Sequence, residues 1–274
     1  MAHADLTQLE RRIAAHFLAR PEAIIAETNA EIAKALNLSP MTLTRFFRKL
    51  GFKDTADARN QVKKLRYGPK SARIDQRFAD SSTQFASQNA EESLALCNAA
   101  VSAAFAIRES EVWTRIVDLV LSADAVHVTG FQTMFYMAVG FARRLSYLRD
   151  RVQLIDGIDG VYAGLMPSND ARNVLLIIDV FRYGAHAPQL AKLARERGVE
   201  VIVVADEFCD WATDITPYVL RYPGETHFFL AMPQGITTGL NLLLQDVIAK
   251  LGSDAGQRIK KLSEAQDYFG LFLD

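Results

Sequence analysis

Ser39-Pro40-Met41-Thr42-Leu43-Thr44-Arg45-Phe46-Phe47-Arg48-Lys49-Leu50-Gly51 is the stretch that decides the architecture of the N-terminal part. Serine followed by proline is the order of an N-cap and a first helical residue. The hydroxyl accepts an amide that has no partner inside the helix, and proline removes another such amide. Leu43, Phe46, Phe47 and Leu50 then recur at spacings of 3, 4 and 7, which is one stripe of a helix. Gly51 stops it with a residue tolerant of positive φ. The stripe leaves Met41, Thr42, Thr44, Arg45, Arg48 and Lys49 on the face turned away from the core.

The residues upstream supply two more helices. Thr7-Gln8-Leu9-Glu10 has the form of a capping box, and a helix from there to Arg20-Pro21 puts Leu9, Ile13 and Phe17 on one face. Thr28-Asn29-Ala30-Glu31 is a second capping box, opening a short helix with Ile32, Ala33 and Leu36 inward. Asn37-Leu38 makes the tight turn into the third helix, so the order is that of a helix-turn-helix. In such a unit the start of the third helix meets base edges and phosphates. The candidate DNA-binding set is Ser39, Met41, Thr42, Thr44, Arg45, Arg48, Lys49 and Lys53. Arg45 suits a bidentate bond to guanine, whereas Arg48 and Lys49 suit phosphates. Lys53 through Arg66 predicts a fourth, basic helix closed by Gly68-Pro69. The plain alternative is a helical protein-interaction module with a solvated basic face.

Charge separates the chain into two parts. The 274 residues carry 31 Lys+Arg and 32 Asp+Glu, a net charge of −1. Residues 1–78 hold 15 of the basic and 8 of the acidic residues, a net of +7, which leaves −8 for the remainder. Such asymmetry points to two domains with different partners, the first suited to nucleic acid. The hydrophobic fraction of 50% excludes a disordered chain. A run of about 18 apolar residues, the length of a membrane span, is missing, and the start lacks the order of a signal peptide. Cys97 and Cys209 stand far apart, so neither a disulfide framework nor a zinc site is expected; cytoplasmic localisation follows, with no cofactor.

Beyond a polar, serine-rich stretch the period changes. Helical patterns at 91–107 and 110–122 are followed by strand patterns at Ala125–Gly130, Val152–Ile155, Asn173–Ile178, Val199–Ala205 and Tyr218–Arg221. Helices are expected between them at about 133–148 and 186–197 and after them at 235–251. Strands apolar throughout, alternating with helices, predict a parallel sheet covered on both faces, a three-layer flavodoxin-like or Rossmann-like α/β domain. The expected organisation is an all-α helix-turn-helix domain over 1–78, a linker over 79–90 and an α/β domain over 91–274. Ligands of such sheets bind beyond the carboxyl ends of the strands. That directs attention to Gly130–Thr133, Asp156–Gly160, Asp179–Gly184 and Asp206–Glu207. The basic turn and aromatic end of 256–274 predict a helix packed on the domain or on a partner subunit.

The stretch from Glu31 to Phe52, above all Thr42-x-x-Arg45-Phe46-x-x-x-Leu50-Gly51-Phe52, resembles the helix-turn-helix of the RpiR family of bacterial transcription regulators. The second half resembles the sugar isomerase (SIS) domain that accompanies it, through strand order and phrases such as Leu193-Ala194-Arg195-Glu196-Arg197-Gly198-Val199. The resemblance implies a regulator that binds an operator in double-stranded DNA as a homodimer or homotetramer; repressor is the expected sign, though the sequence itself does not fix repressor against activator. A small-molecule effector, a sugar phosphate, sugar acid or other metabolite, would control it from the SIS domain. SIS domains cradle a phosphate in Gly-x-Gly-Ser-Ser and Ser-x-Ser-Gly-x-Thr loops. Here the first loop reads Gly130-Phe131-Gln132-Thr133 and the second Asp179-Val180-Phe181-Arg182-Tyr183-Gly184. Asp179 and Phe181 stand at serine positions, and a carboxylate there repels a phosphate.

The candidate effector set is therefore Gly130, Phe131, Gln132, Thr133, Asp179, Phe181, Arg182, Tyr183, Gly184 and, by resemblance of the loop Pro223-Gly224-Glu225, Glu225. Three outcomes stay open at this point. Arg182 takes a phosphate or carboxylate; the aromatics and Asp179 take an uncharged or cationic ligand; or the pocket is vestigial and serves only oligomerisation. A SIS-type sugar-phosphate isomerase or binding protein is the enzyme-side alternative, with Glu225, His186 or His227 as nominal bases. No phosphate loop, zinc motif or nucleophile elbow supports catalysis.

Overall fold

A computed structural model describes residues 6–20, 23–26, 29–67, 74–75, 78, 90–158, 160, 162–165, 172–224, 230 and 233–272. The chain forms two compact units that part between residues 80 and 81.

The first unit is helical: α1 (Gln8–Ala19), α2 (Ala23–Ala26), α3 (Asn29–Ala35), α4 (Pro40–Lys49) and α5 (Thr55–Tyr67). The capping box at the start of α1 is present, with Thr7 and Glu10 each bonding the other's backbone. The turn from α3 to α4 places Asn37 at φ 52°, where asparagine is tolerated, and Gly51 follows α4 at φ 94°. Ile13, Ile24, Ile32, Ala33, Leu43, Phe46, Phe47 and Ala58 form the core. Each fully buried large side chain among them contributes roughly 1.5–3 kcal/mol.

Two sequence expectations change here. Leu9 and Leu50, placed on inward stripes, are 38% and 42% exposed; Leu9 sits in the first turn of α1 and Leu50 is the C-cap of α4. The helical turn α2 was not anticipated; it delivers Ile24 to the core and offers its carbonyl to Arg59 Nε at 2.7 Å. Thr28 of the second capping box and Gly68-Pro69 lie outside the described residues.

The second unit contains α6 (Ala90–Arg108), α7 (Glu111–Ser122), β1 (Ala125–Gly130), α8 (Phe135–Leu145), β2 (Val152–Leu154) and β3 (Asn173–Ile178). Then come α9 (His186–Glu196), β4 (Glu200–Asp206), β5 (Tyr218–Tyr222), α10 (Gln234–Leu251) and α11 (Asp254–Phe269). The five strands form one parallel sheet in the order β2-β1-β3-β4-β5. Alternation along each strand feeds two cores. Val126, Val128, Val174, Leu176, Ile178, Ile202 and Val204 pack with α7, α8 and α10, while Leu175, Ile177, Val201, Val203 and Ala205 pack with α9. In this order the connection reverses direction between β1 and β3, so their carboxyl ends open a crevice.

Helix α6 packs along α10 and buries Ser93, Ala100 and Ala104. By length and composition alone it is apolar enough to cross a membrane, with a mean hydropathy of 1.2, yet only 17% of it is buried within this chain. Leu94 and Phe105 of its outer face are exposed. Asp246 of α10 ties the surrounding helices, accepting from Arg108 Nε at 2.9 Å and from Trp113 Nε1 at 2.8 Å. The C-terminal segment is helical as expected, but Tyr268, Phe269 and Phe272 are exposed.

Candidate functional site

On the helical unit, α4 presents the predicted surface. Ser39 caps it, accepting from the Thr42 amide at 3.2 Å, and its hydroxyl lies 2.9 Å from that of Thr42. Met41, Arg45, Arg48, Lys49 and Lys53 are exposed and Thr42 is half-buried. The set is not uniform. Thr44 turns inward, with its hydroxyl 3.3 Å from the Pro40 carbonyl and 3.4 Å from that of buried Thr55. Arg48 Nε donates to the Lys53 carbonyl at 3.1 Å and so holds the loop after α4. Lys49 Nζ pairs with Glu10 of α1 at 2.7 Å, and this bond holds the Glu10 carboxyl below the usual carboxylate range. Arg45 projects from the exposed face of the helix. It is the guanidinium on α4 best placed to meet an external acceptor.

In the α/β unit, the β1–α8 and β3–α9 loops meet at the carboxyl ends of β1 and β3. Gly130 is required by the chain itself: a Cβ there would lie 2.7 Å from the Met134 carbonyl oxygen. Gln132, at φ 53°, donates from Nε2 to the Arg182 carbonyl at 2.8 Å and ties the two loops. Phe131 lies over Gly184, where a Cβ would come within 2.8 Å of its ring. Phe181 and Tyr183 meet edge-on with centroids 5.7 Å apart. Gln132, Thr133 and Arg182 are exposed.

Asp179, just past the end of β3, and Asp206, the last residue of β4, are both buried, at 1% and 3% exposed. Asp179 accepts from the Val180 amide and from the Gly184 amide, each at 2.9 Å. Asp206 accepts from the Phe181 amide at 2.7 Å, the Tyr183 hydroxyl at 2.5 Å and the Phe208 amide at 3.2 Å. Burial pushes the Asp179 carboxyl up to about 7; the two amides pull it down, and Asp206 adds to the rise.

Asp206 entered the sequence reading as part of the candidate pocket beyond the fourth strand, but its ties to the neighbouring loop had no local signal. Tyr162 was missed altogether. Its ring covers Gly157, where a Cβ would lie 2.6 Å away, and its hydroxyl is 3.5 Å from His186 Nδ1. Glu225 and His227 lie outside the described residues. Among the described residues no three His, Cys, Asp or Glu side chains are grouped to hold a metal ion. A shallow groove of about 160 Å³, lined by Glu111, Val112, Arg115, Pro217 and Tyr218, lies at the amino end of β5, opposite the loops above.

Residues 1–64 match the helix-turn-helix domain of the rpiR family, so the helical unit is a domain of that kind. The whole chain shares its fold with the Vibrio vulnificus NanR protein complexed with ManNAc-6P. The identity is 14%, the TM-score 0.60, and the match covers 98% of this chain and 96% of that one. The sugar isomerase domain of an RpiR transcription factor from Sphaerobacter thermophilus matches at 19% identity and a TM-score of 0.58. It covers 63% of this chain and 97% of that one. The second unit thus has the open α/β fold of a sugar isomerase domain. No curated protein sequence matches the chain significantly.

Proposed function

We propose that this chain is a sequence-specific DNA-binding transcription regulator, a repressor of a metabolic operon, whose sugar isomerase-type domain receives a small-molecule effector. The observation that carries the proposal is the exposed face of α4, with Arg45 outward, on a helix-turn-helix domain matched to the rpiR family. The second unit supports a sugar-type effector, since NanR holds ManNAc-6P in a chain of this fold. The effector changes operator affinity by as much as it prefers one state of the protein over the other.

The acting form is a cytoplasmic homodimer or homotetramer on a pseudo-palindromic operator. Helix α6 supports self-association: a helix apolar on all sides calls for cover, and Leu94 and Phe105 lack it in the single chain. A catalytic role is not proposed. An isomerase needs a general base beside a held substrate, and buried Asp179 and Asp206 occupy the interior of the loop that would hold one.

The test is operator selection from random duplexes followed by gel-shift titration at several salt concentrations. A selected sequence bound with a log–log salt slope near −0.9 per neutralised phosphate is the expected result. Weak binding with a flat salt profile would mark the helical unit as a protein-interaction module instead.

A further inference from the structure

Consecutive backbone amides at the entry to a helix form a concave donor surface that attracts an anion. The β3–α9 loop has such amides at Val180, Phe181 and Gly184, and all three are already answered from within. Asp179 takes those of Val180 and Gly184, and Asp206 takes that of Phe181. Both carboxylates are more than nine-tenths buried. They are tethered to the sheet by the strands that precede them, so an arriving anion competes with groups at very high effective concentration. It would also meet like charge in a poorly screened setting. The surface is sealed as well, by Phe131 over Gly184 and by the Gln132–Arg182 bond.

We propose that Asp179 is a specificity-determining residue of this domain: together with Asp206 it acts as the loop's internal anion, so that the loop accepts no phosphate and faces an uncharged or amine-bearing part of the effector. The proposal rests on the reading of the α/β unit as an effector domain. It differs from simple repulsion, because the carboxylates also use the donors a phosphate would need. The exposed residues Gln132 and Thr133 belong to the neighbouring loop, and beyond the Gln132 Nε2 bond to the Arg182 carbonyl, the Gln132 Oε1 and the Thr133 hydroxyl are of the kind that pairs with sugar hydroxyls or amines.

Asp179→Ser tests the proposal, since the shorter, uncharged side chain cannot reach both amides. Full-length protein at pH 8 is titrated with inorganic phosphate against chloride of matched ionic strength, with thermal unfolding and amide NMR as readouts. In the native protein the Val180, Phe181 and Gly184 resonances should stay in place. In Asp179→Ser they should move, with a phosphate-dependent Tm rise of roughly 2–4 °C. Movement of those resonances in the native protein overturns the proposal, as does a variant that keeps its circular dichroism yet gains nothing from phosphate. Should the variant fail to fold, the native resonances alone decide. Operator binding by the native protein is measured separately. Its absence would strike the regulator reading and leave the phosphate result standing.

Discussion

Asp179 makes a measurable demand on stability. Its carboxyl titrates near 7 in the folded chain against an ordinary value of 3.8, with burial as the leading cause. Between those two values the folded state holds a proton that the unfolded state has released. Stability therefore falls as pH rises through this window, by up to 1.36 kcal/mol per pH unit. Summed from about 4 to 7 the loss is on the order of 4 kcal/mol: the added stability is present in full below the unfolded value and gone above the folded one. Asp179→Asn removes the proton while keeping the size and one acceptor. Urea unfolding of both proteins from pH 5 to 9 isolates the effect, because the difference between them cancels the titrating groups that do not interact with Asp179. Trp113 and Trp211 are the chain's two tryptophans and both lie in the α/β unit, so fluorescence follows that unit alone. The native protein should lose stability relative to the variant as pH rises and reach a plateau near pH 8. A difference that stays constant across the range would refute the raised titration of Asp179 and the dominance of burial behind it.

Four further substitutions have defined outcomes. Arg45→Ala should weaken operator binding by about 1–3 kcal/mol in a gel shift, with relaxed preference at one base pair and unchanged helicity. Ser39→Ala removes the cap of α4 and should lower the stability of the helical unit by about 1 kcal/mol, read from its circular dichroism melt. Gly239→Ala places a Cβ 2.2 Å from the hydroxyl of Tyr222, which is 0% exposed, and should cost about 1–3 kcal/mol in denaturant unfolding. Tyr222→Phe should be neutral or stabilising in the same assay, because that hydroxyl is buried with no hydrogen-bond partner.

What could be read in advance was whatever is encoded by period and by caps. Ser39-Pro40 and the spacing of Leu43, Phe46 and Phe47 placed α4, and apolar runs bounded by glycine or aspartate placed β1, β3 and β4. Both are local signals, and both cores follow from them. The roles of individual charges were less legible because they depend on partners remote in sequence. Lys49 was read as a phosphate ligand on the strength of its face, yet it meets Glu10, and Arg48 bonds the Lys53 carbonyl. Asp179 was recognised as foreign to a phosphate loop. That its oxygens would reach both ends of that loop follows from the backbone path between Val180 and Gly184, which no periodicity describes.

The clasp between Gln132 and residue 182 is made to a main-chain carbonyl, so it does not depend on which side chain stands at 182. Position 182 is therefore open to drift: a guanidinium there can become an amide, a carboxylate or an alkyl group while the loop pair keeps its bond. Position 184 has the opposite character, since Phe131 admits no Cβ there. Relatives that share the clasp but respond to different metabolites should accordingly vary at the first site and hold glycine at the second, which makes residue 182 the natural place to retune ligand preference in the laboratory.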